Sequence, residues 1–228
     1  MLRTELFNVD TILDRLLPWV REESPTNHVI GVNRMMDLVG ADLAAIGGAL
    51  ERIPGTGGRG DIVLARFAGR DGPNSPGILI LSHLDTIHPV GTLAGRLALR
   101  RDGDRYFGPG IYDMKGGVAI AVEALKIVRE QARGAALPVT FMLIPDEEIG
   151  SPSSRERIEE EAKRHKYVLV TEPCKNGVVV TGRFAFQRFW IDVEGRPAHA
   201  GATNRQGRSA IRAMARLIEQ IENMTDFE

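Results

Sequence analysis

Residues 77–86 read G-I-L-I-L-S-H-L-D-T, and this stretch decides the fold that we expect for the chain. Gly77–Leu81 is a short continuous apolar run, and His83 and Asp85 follow it directly. Apolar runs without alternation are typical of strands buried on both faces, as in a parallel sheet. Because ligands of open α/β sheets bind at the carboxyl ends of the strands, these polar residues are expected to face a crevice.

Two more apolar runs lead straight into acidic residues. Val139–Ile144 precedes Asp146–Glu148, and Tyr167–Val170 precedes Glu172, while a Gly-rich loop ahead of a helical pattern delivers Asp113. The β–α–β–α–β order predicts an α/β fold, with a mostly parallel or mixed sheet flanked by helices. One imidazole and several carboxylates would then converge, and that ligand set suits zinc or a similar divalent ion.

Composition narrows the class of protein. The 228 residues suffice for one large domain or two small ones. The 29 Lys and Arg and 30 Asp and Glu leave a net charge of -1, which does not favour nucleic acid or an anionic membrane as partner. The single cysteine, Cys174, fits a reducing compartment. With no signal-peptide pattern and no apolar run of about 18 residues, we expect a cytoplasmic protein without a membrane partner.

Two helices are predicted ahead of the first buried strand. Phe7–Val20 and Val29–Leu50 carry apolar residues at helical spacing, and Pro18 is expected to end or kink the first. Leu97–Arg105 is typical of a polar strand or a hairpin.

The pattern changes near the end of the chain. Gly177–Thr181 and Phe184–Val193 are predicted as adjacent strands with no helix between them, and Gly207–Glu222 as an amphipathic helix. We therefore expect residues 1–180 to form a metal-binding domain and residues 181–228 to begin a smaller α+β domain. Two strands and one helix are too few to bury both faces of a sheet.

Taken singly, the polar motifs have ordinary explanations as well as functional ones. His83 and Asp85 fit a metal ligand oriented by a carboxylate, or a solvated polar pair. Asp146–Glu148 fits a ligand beside a free general base, or a solvated acidic patch. Gly108–Gly117 fits a Gly-rich strand–helix turn, or a phosphate loop that lacks the G-K-[ST] ending.

The last two motifs also have both an ordinary and a functional explanation. Pro173 holds Glu172 extended, and the neighbouring Cys174 is either a soft ligand or a small buried hydrophobe. His199 lies in the turn Gly195–Gly201 and is either a plain turn residue or a functional one.

Order and spacing together are far more specific than any single motif. Ser82–Thr86, then G-P-G-I-Y-D-M-K-G-G, D-E-E-x-G-S, T-E-P and A-H-A-G form a series that resembles the di-zinc exopeptidase family. This family includes glutamate carboxypeptidase, acetylornithine deacetylase and succinyl-diaminopimelate desuccinylase. The motifs look closest to the glutamate carboxypeptidase branch, and the resemblance runs from about Ile78 to the end of the chain.

The resemblance implies a metal role for four residues. Asp113 would bridge two zinc ions, with Co²⁺ or Mn²⁺ as substitutes. His83 and Glu172 would complete one site, and Glu148 would belong to the other.

It also implies the catalytic residues. Asp85 would orient the histidine ligand, and Glu147 would be the general base that activates the bridging water. The peptide bond after Asp113 would be cis. His199 would belong to a peptidase dimerisation or lid domain and would help to bind the substrate carbonyl oxygen across a dimer interface.

The chain departs from the family in length. Family members are much longer and place a final zinc-ligating histidine near the C-terminus, whereas no histidine follows His199 here. We therefore expect the N-terminal part of such an enzyme, with an incomplete catalytic domain at 1–180 and a truncated dimerisation domain at 181–228. Such a chain would hold zinc less completely than a full-length relative.

The activity that the resemblance implies is zinc-dependent hydrolysis of a C-terminal amide bond. A small peptide or N-acyl amino acid would be cleaved to release an amino acid such as glutamate, by a homodimer in the full-length form. The alternatives are an N-acyl amino acid deacylase with the same machinery, a catalytically inactive metal-binding or dimerisation module, and a phosphate-binding protein.

Overall fold

A five-stranded mixed sheet forms the centre of the larger of two compact units, Met1–Val179 and Val180–Glu228. The computed structural model describes residues 4–72, 75–131, 135–174, 176–182 and 189–226. The strands in chain order are β1 (Ala49–Ile53), β2 (Ile62–Phe67), β3 (Gly77–His83), β4 (Arg100–Asp102), β5 (Arg105–Phe107), β6 (Val139–Ile144) and β7 (His165–Val170). Strands β4 and β5 form a separate hairpin, one of the two structures predicted for this segment.

The sheet order is β1-β2-β6-β3-β7, with β3 between two parallel neighbours, β6 and β7. Strand β2 runs antiparallel to both β6 and β1. The carboxyl ends of these three parallel strands therefore lie on the same side of the sheet. His83 is the last residue of β3, and the chain continues from β6 to Asp146 and from β7 to Glu172.

Helices cover both faces of this sheet. The helices are α1 (Val9–Arg21), α2 (Val29–Ala45), α3 (Gly116–Gln131) and α4 (Arg155–Ala162). Helices α1 to α3 share one core with strand residues such as Val63, Phe141 and Leu143, whereas α4 packs on the other face, near Leu64 and Met142. This layering confirms the predicted α/β class. No helix within the described ranges is long and apolar enough to cross a bilayer.

Two helices end elsewhere than predicted. Pro18 was expected to end or kink the first helix, but α1 does not end there and continues to Arg21, because proline removes only one helical hydrogen bond and the next two side chains are buried in the core. The second helix does not reach Leu50, since Gly47 adopts a left-handed conformation (φ 88°) that ends it, and the chain then enters β1.

One apolar run that was predicted to be a buried strand lies at the edge of the sheet. Tyr167–Val170 does form part of β7, but β7 is an edge strand, and all four apolar side chains are 43–53% exposed. The prediction of burial on both faces was therefore wrong. Apolar composition favours a strand, but the connections of the whole chain decide whether that strand is central.

In the second unit, Ser209 caps the N-terminus of α5 (Ala210–Glu222), and its side-chain oxygen accepts a hydrogen bond from the backbone N–H of Arg212. The backbones of Arg196 and Arg208 pair with each other and enclose the turn that carries His199. In the first predicted strand, Gly177–Thr181, Val178 takes part in a β-bridge. Residues 189–193 of the second predicted strand are irregular, and 184–188 lie outside the described residues.

A buried ion-pair cluster fixes α4 on the sheet, and its loss should be measurable. Glu161 is fully buried and accepts hydrogen bonds from Arg66 of β2, with Arg157 and Arg164 also in contact. We expect Glu161→Ala to lower the free energy of unfolding by about 2–3 kcal/mol, since three partly exposed arginines lose their partner but can reach water. Urea unfolding measures this, and the exposed Glu160→Ala is the control, with a change of about 0.5 kcal/mol or less.

The same cluster predicts a pH dependence. Burial raises the pKa of Glu161, but the hydrogen bonds and charge of Arg66, with Arg157 and Arg164, outweigh burial and leave the pKa below its usual value. The stabilisation is therefore complete above the unfolded-state pKa of about 4.3, and is lost as pH falls through the lower folded-state pKa. The stability difference between wild type and Glu161→Gln should shrink below about pH 4. A constant difference down to pH 2.5 (about two units below the ordinary carboxyl pKa) would contradict this assignment.

Candidate metal centre

The ends of the parallel strands bring one imidazole and several carboxylates together. His83 Nε2 lies 3.0 Å from Asp113 Oδ1, 3.5 Å from Glu172 Oε1 and 4.0 Å from Glu147 Oε2. The imidazole is buried, while the carboxylates are partly exposed on the crevice side. This is the crevice that the positions of the apolar runs predicted.

Two overlapping sets of donor atoms could each hold an ion. His83 with Glu147 and Glu172, and His83 with Asp113 and Glu148, have their ligand atoms within 4.8 Å of one another. The structure thus brings together all four residues predicted as metal ligands and the residue predicted as base. Glu147 belongs to the first of these sets and Glu148 to the second.

The charges of this cluster fit a divalent cation. Within the described residues, His83 is the only basic side chain at ion-pair distance from Asp113, Glu147 and Glu172. Burial raises the pKa of Glu147 and raises that of Glu148 to about 7, and the neighbouring carboxylates add to this although His83 opposes it. Crowded carboxylates with one imidazole are short of positive charge, which a metal ion supplies.

Asp85 is buried and connects three parts of the site. Its carbonyl oxygen accepts a hydrogen bond from His83 Nδ1 at 2.9 Å, and its carboxylate lies 3.4 Å from the same nitrogen. Nε2 therefore faces the carboxylates, as a metal ligand must. The Asp85 carboxylate also accepts the N–H groups of Glu147 (3.1 Å) and Glu148 (3.3 Å) and the hydroxyl of Thr26 (2.7 Å).

Asp85→Asn is expected to lower zinc affinity about 10–100-fold, because the amide has one acceptor oxygen where the carboxylate has two, so that part of this support is lost. Competition with a chromophoric chelator measures the affinity. Asp71→Asn, exposed in a distant turn, is the matched control. Unchanged affinity in a folded Asp85→Asn protein would show that Asp85 does not support the ligands.

Asp146, the first residue of the acidic run, shapes the loop. Its buried carboxylate accepts the backbone N–H (2.6 Å) and hydroxyl (2.7 Å) of Ser153 and the hydroxyl of Ser154 (2.5 Å). These hydrogen bonds therefore join the two ends of the loop that carries Glu147 and Glu148. Sequence analysis gave Asp146 no separate role, and the Ser153-Ser154 pair was the signal that could have shown it.

The loop that carries Asp113 is anchored behind the site. The peptide bond between Asp113 and Met114 is cis, as the resemblance implied. Lys115, which sequence reasoning missed, is buried, and its Nζ donates to the carbonyls of Trp19 (3.1 Å) and Glu22 (2.8 Å) at the end of α1. Burial lowers the pKa of Lys115 to about 7.

Close packing brings the start of α3 against the end of β7. A Cβ atom at Gly117 would overlap the carbonyl oxygen of Thr171, so only glycine fits there. The hydroxyls of Thr171 and Ser82 lie 2.7 Å apart and connect the ends of β7 and β3. These contacts fix the separation of Asp113 and Glu172.

The remaining two candidates belong to neither set of donor atoms. His199 belongs to the second unit, where its Nδ1 accepts the N–H groups of Gly201 (3.2 Å) and Ala202 (3.1 Å). In the neutral ring the proton is therefore on Nε2, which can donate. Cys174 is exposed and belongs to neither donor set, so it is not a small buried hydrophobe.

An imidazole and carboxylates gathered at the strand ends of a layered sheet define an α/β protein with a candidate metal site. The chain belongs to peptidase family M20/M25/M40, whose profile matches residues 79–226. This is a family of metallopeptidases, and it confirms the resemblance found in the motifs.

Individual relatives agree with this assignment. Carboxypeptidase G2 of Pseudomonas sp. (strain RS-16) is 32% identical over 218 residues, which are 94% of this chain and 52% of that protein. Acetylornithine deacetylase of Myxococcus xanthus is 24% identical over 192 residues, 83% of this chain and 49% of that protein. The chain therefore spans about half the length of these curated relatives.

A solved structure shows the same fold. The crystal structure of a tripeptidase from Staphylococcus aureus superimposes with a TM-score of 0.66 at 19% identity, over 94% of this chain and 57% of that one.

Proposed function

We propose that the polypeptide containing this chain is a zinc-dependent carboxypeptidase of the glutamate carboxypeptidase type. It hydrolyses the C-terminal amide bond of a small peptide or N-acyl amino acid and releases an amino acid such as glutamate. One observation carries the proposal: the convergence of His83, Asp113, Glu148 and Glu172 beside Glu147, in a chain that is 32% identical to carboxypeptidase G2.

The donor set supports two zinc ions. Asp113 would be shared between them, His83 and Glu172 would complete one site, and Glu148 would belong to the other; Co²⁺ and Mn²⁺ suit the same imidazole and carboxylate donors. Bound zinc supplies Lewis acidity to the scissile carbonyl and makes water acidic enough to release a proton near neutral pH.

Glu147 is placed to carry that proton. Its side chain is 47% exposed, its carboxylate faces the cluster, and its backbone N–H is held by Asp85. Glu147 takes the proton from the attacking water and returns it to the leaving amine, acting first as general base and then as general acid.

The second unit supports a role in dimerisation. We assign residues 1–180 to the catalytic domain and 181–228 to the beginning of a dimerisation, or lid, domain of a homodimer. His199 is exposed and presents an Nε2–H donor. That donor suits the substrate carbonyl oxygen in the active site of the partner subunit.

The competing activity is deacylation of a substrate such as N-acetylornithine, favoured by the similarity to acetylornithine deacetylase. The complete, zinc-loaded polypeptide should be assayed with N-acylglutamates and N-acetylornithine, with the released amino acid quantified. We expect kcat/KM for the best N-acylglutamate to exceed that for N-acetylornithine by at least about tenfold. The opposite preference would assign the protein to the deacylases, and no turnover by zinc-loaded protein would contradict both activities.

A further inference from the structure

Residues 22–26, the segment between α1 and α2 that we call the connector, hold two of the loops that form the metal centre. The proposed mechanism gives the connector no role, and it lies ahead of residues 79–226, the part that the family profile matches. The connector pairs in parallel with the loop after β3. Thr86 donates its backbone N–H to the carbonyl of Ser24 (2.9 Å), and Thr26 donates its own to the carbonyl of Thr86 (3.3 Å). The backbone of that loop is therefore fixed by the connector.

The buried side chain of Thr26 reaches the same loop. Its hydroxyl donates to Oδ2 of Asp85 at 2.7 Å, and both residues are buried. The other described donors to this carboxylate are farther away: the N–H groups of Glu147 (3.1 Å) and Glu148 (3.3 Å), and His83 Nδ1 (3.4 Å). Because short hydrogen bonds from a hydroxyl to a carboxylate are strong, the contact with Thr26 is the one that fixes the carboxylate of Asp85.

The connector also holds the loop that carries Asp113. The carbonyl of Glu22, at the start of the connector, accepts a hydrogen bond of 2.8 Å from Nζ of the buried Lys115. One short segment is therefore bonded both to the loop after β3 and to the loop before α3. These two loops place His83 and Asp113 3.0 Å apart at the centre of the site.

We propose that Thr26 is a positioning residue of the metal centre and acts through Asp85. Its hydroxyl holds the carboxylate of Asp85 where that carboxylate accepts the two N–H groups of the loop after β6 and lies beside His83 Nδ1. The metal ligands are thereby aligned before the ion binds, so that binding does not have to order them. The proposal rests on the proposed function, which supplies the identity of the metal.

The zinc affinity of matched threonine variants tests this proposal. In the complete polypeptide, Thr26→Val keeps the shape of the side chain but lacks the donor, and it should weaken zinc binding at least about fivefold in competition with a chromophoric chelator. Thr26→Ser keeps the donor and should bind zinc within about twofold of wild type.

Thr140→Val is the matched control for these variants. Thr140 is also buried with a hydrogen-bonded hydroxyl, but it lies near the amino end of β6, so that its loss should lower stability and leave zinc affinity unchanged. Equal affinity in Thr26→Val and wild type, or equal losses in Thr26→Val and Thr26→Ser, would overturn the proposal. If Thr26→Val does not fold, Thr26→Ala compared with Thr26→Ser gives the answer, because these two differ only in the hydroxyl.

Hydrogen–deuterium exchange in the metal-free polypeptide separates this proposal from the proposed function. The N–H groups of Glu147 and Glu148 donate to Asp85, so the peptide that contains them should exchange at least about threefold faster in Thr26→Val than in wild type or Thr140→Val. Faster exchange with weaker zinc binding supports the positioning role even if wild type cleaves no substrate, and then only the proposed function fails. If wild type binds no zinc, the proposed function fails and exchange alone decides the role of Thr26. Unchanged exchange in Thr26→Val overturns the proposal whatever the turnover.

Discussion

Glu147→Gln is expected to lower kcat by about 10²–10⁴-fold while leaving the bound zinc in place. The amide has the same shape and keeps the backbone hydrogen bond to Asp85, but it cannot accept the proton of the attacking water. Because the loss occurs in the chemical step, KM should change much less than kcat. Steady-state kinetics on the complete polypeptide, together with elemental analysis of zinc per chain, measure both effects.

The neighbouring carboxylate offers a matched control. Glu148→Gln makes the same chemical change one residue later, at a proposed zinc ligand, and should lower zinc content as well as activity. Near-normal kcat in Glu147→Gln would remove the general base from our mechanism. Loss of zinc from Glu147→Gln, with retention in Glu148→Gln, would exchange the two roles, since each residue shares a donor set with His83.

The fold was predictable where the burial that a local sequence pattern suggests agrees with the position of that segment in the tertiary structure. Gly77–Leu81 is apolar without interruption and indeed forms part of the inner strand β3, with parallel neighbours on both sides. Tyr167–Val170 has a similar composition but lies at the sheet edge. No local pattern separates these cases, because strand order depends on connections across the whole chain.

The candidate site was predictable in position but not in detail. Strand ends and residue types predicted a metal-binding crevice that includes His83 and Glu172, whereas the assignment of each ligand to one of two zinc sites rested on the family resemblance. The hydrogen bonds of Asp85 to the loop after β6 join residues about 60 positions apart. The anchor at Lys115 is similar, since it joins α1 to the loop before α3. Periodicity reports neighbours within one element and carries no information on such distant pairs.

His199→Ala is expected to inactivate the dimer almost completely. Because His199 is proposed to act in the active site of the partner subunit, a second prediction follows for dimers that contain two different variants. His199 lies in the second compact unit, and its Nδ1 is occupied by two backbone N–H groups. In the proposed role, Nε2–H donates to a substrate carbonyl oxygen, and hydrogen bonds to a developing oxyanion contribute about 10²–10³-fold to kcat. Glu147→Ala should be equally inactive, because the base is lost.

In a mixture of His199→Ala and Glu147→Ala chains that is allowed to exchange subunits, half of the dimers should be heterodimers. If His199 serves the partner's site, each heterodimer has one site with both residues intact and one with both defects. Random assembly then predicts recovery of roughly a quarter of wild-type activity. Native mass spectrometry verifies the exchange, and a mixture of His199→Ala with wild type serves as the dilution control. If heterodimers form without regained activity, His199 serves its own chain or no site at all, since only action in trans can combine the two intact residues.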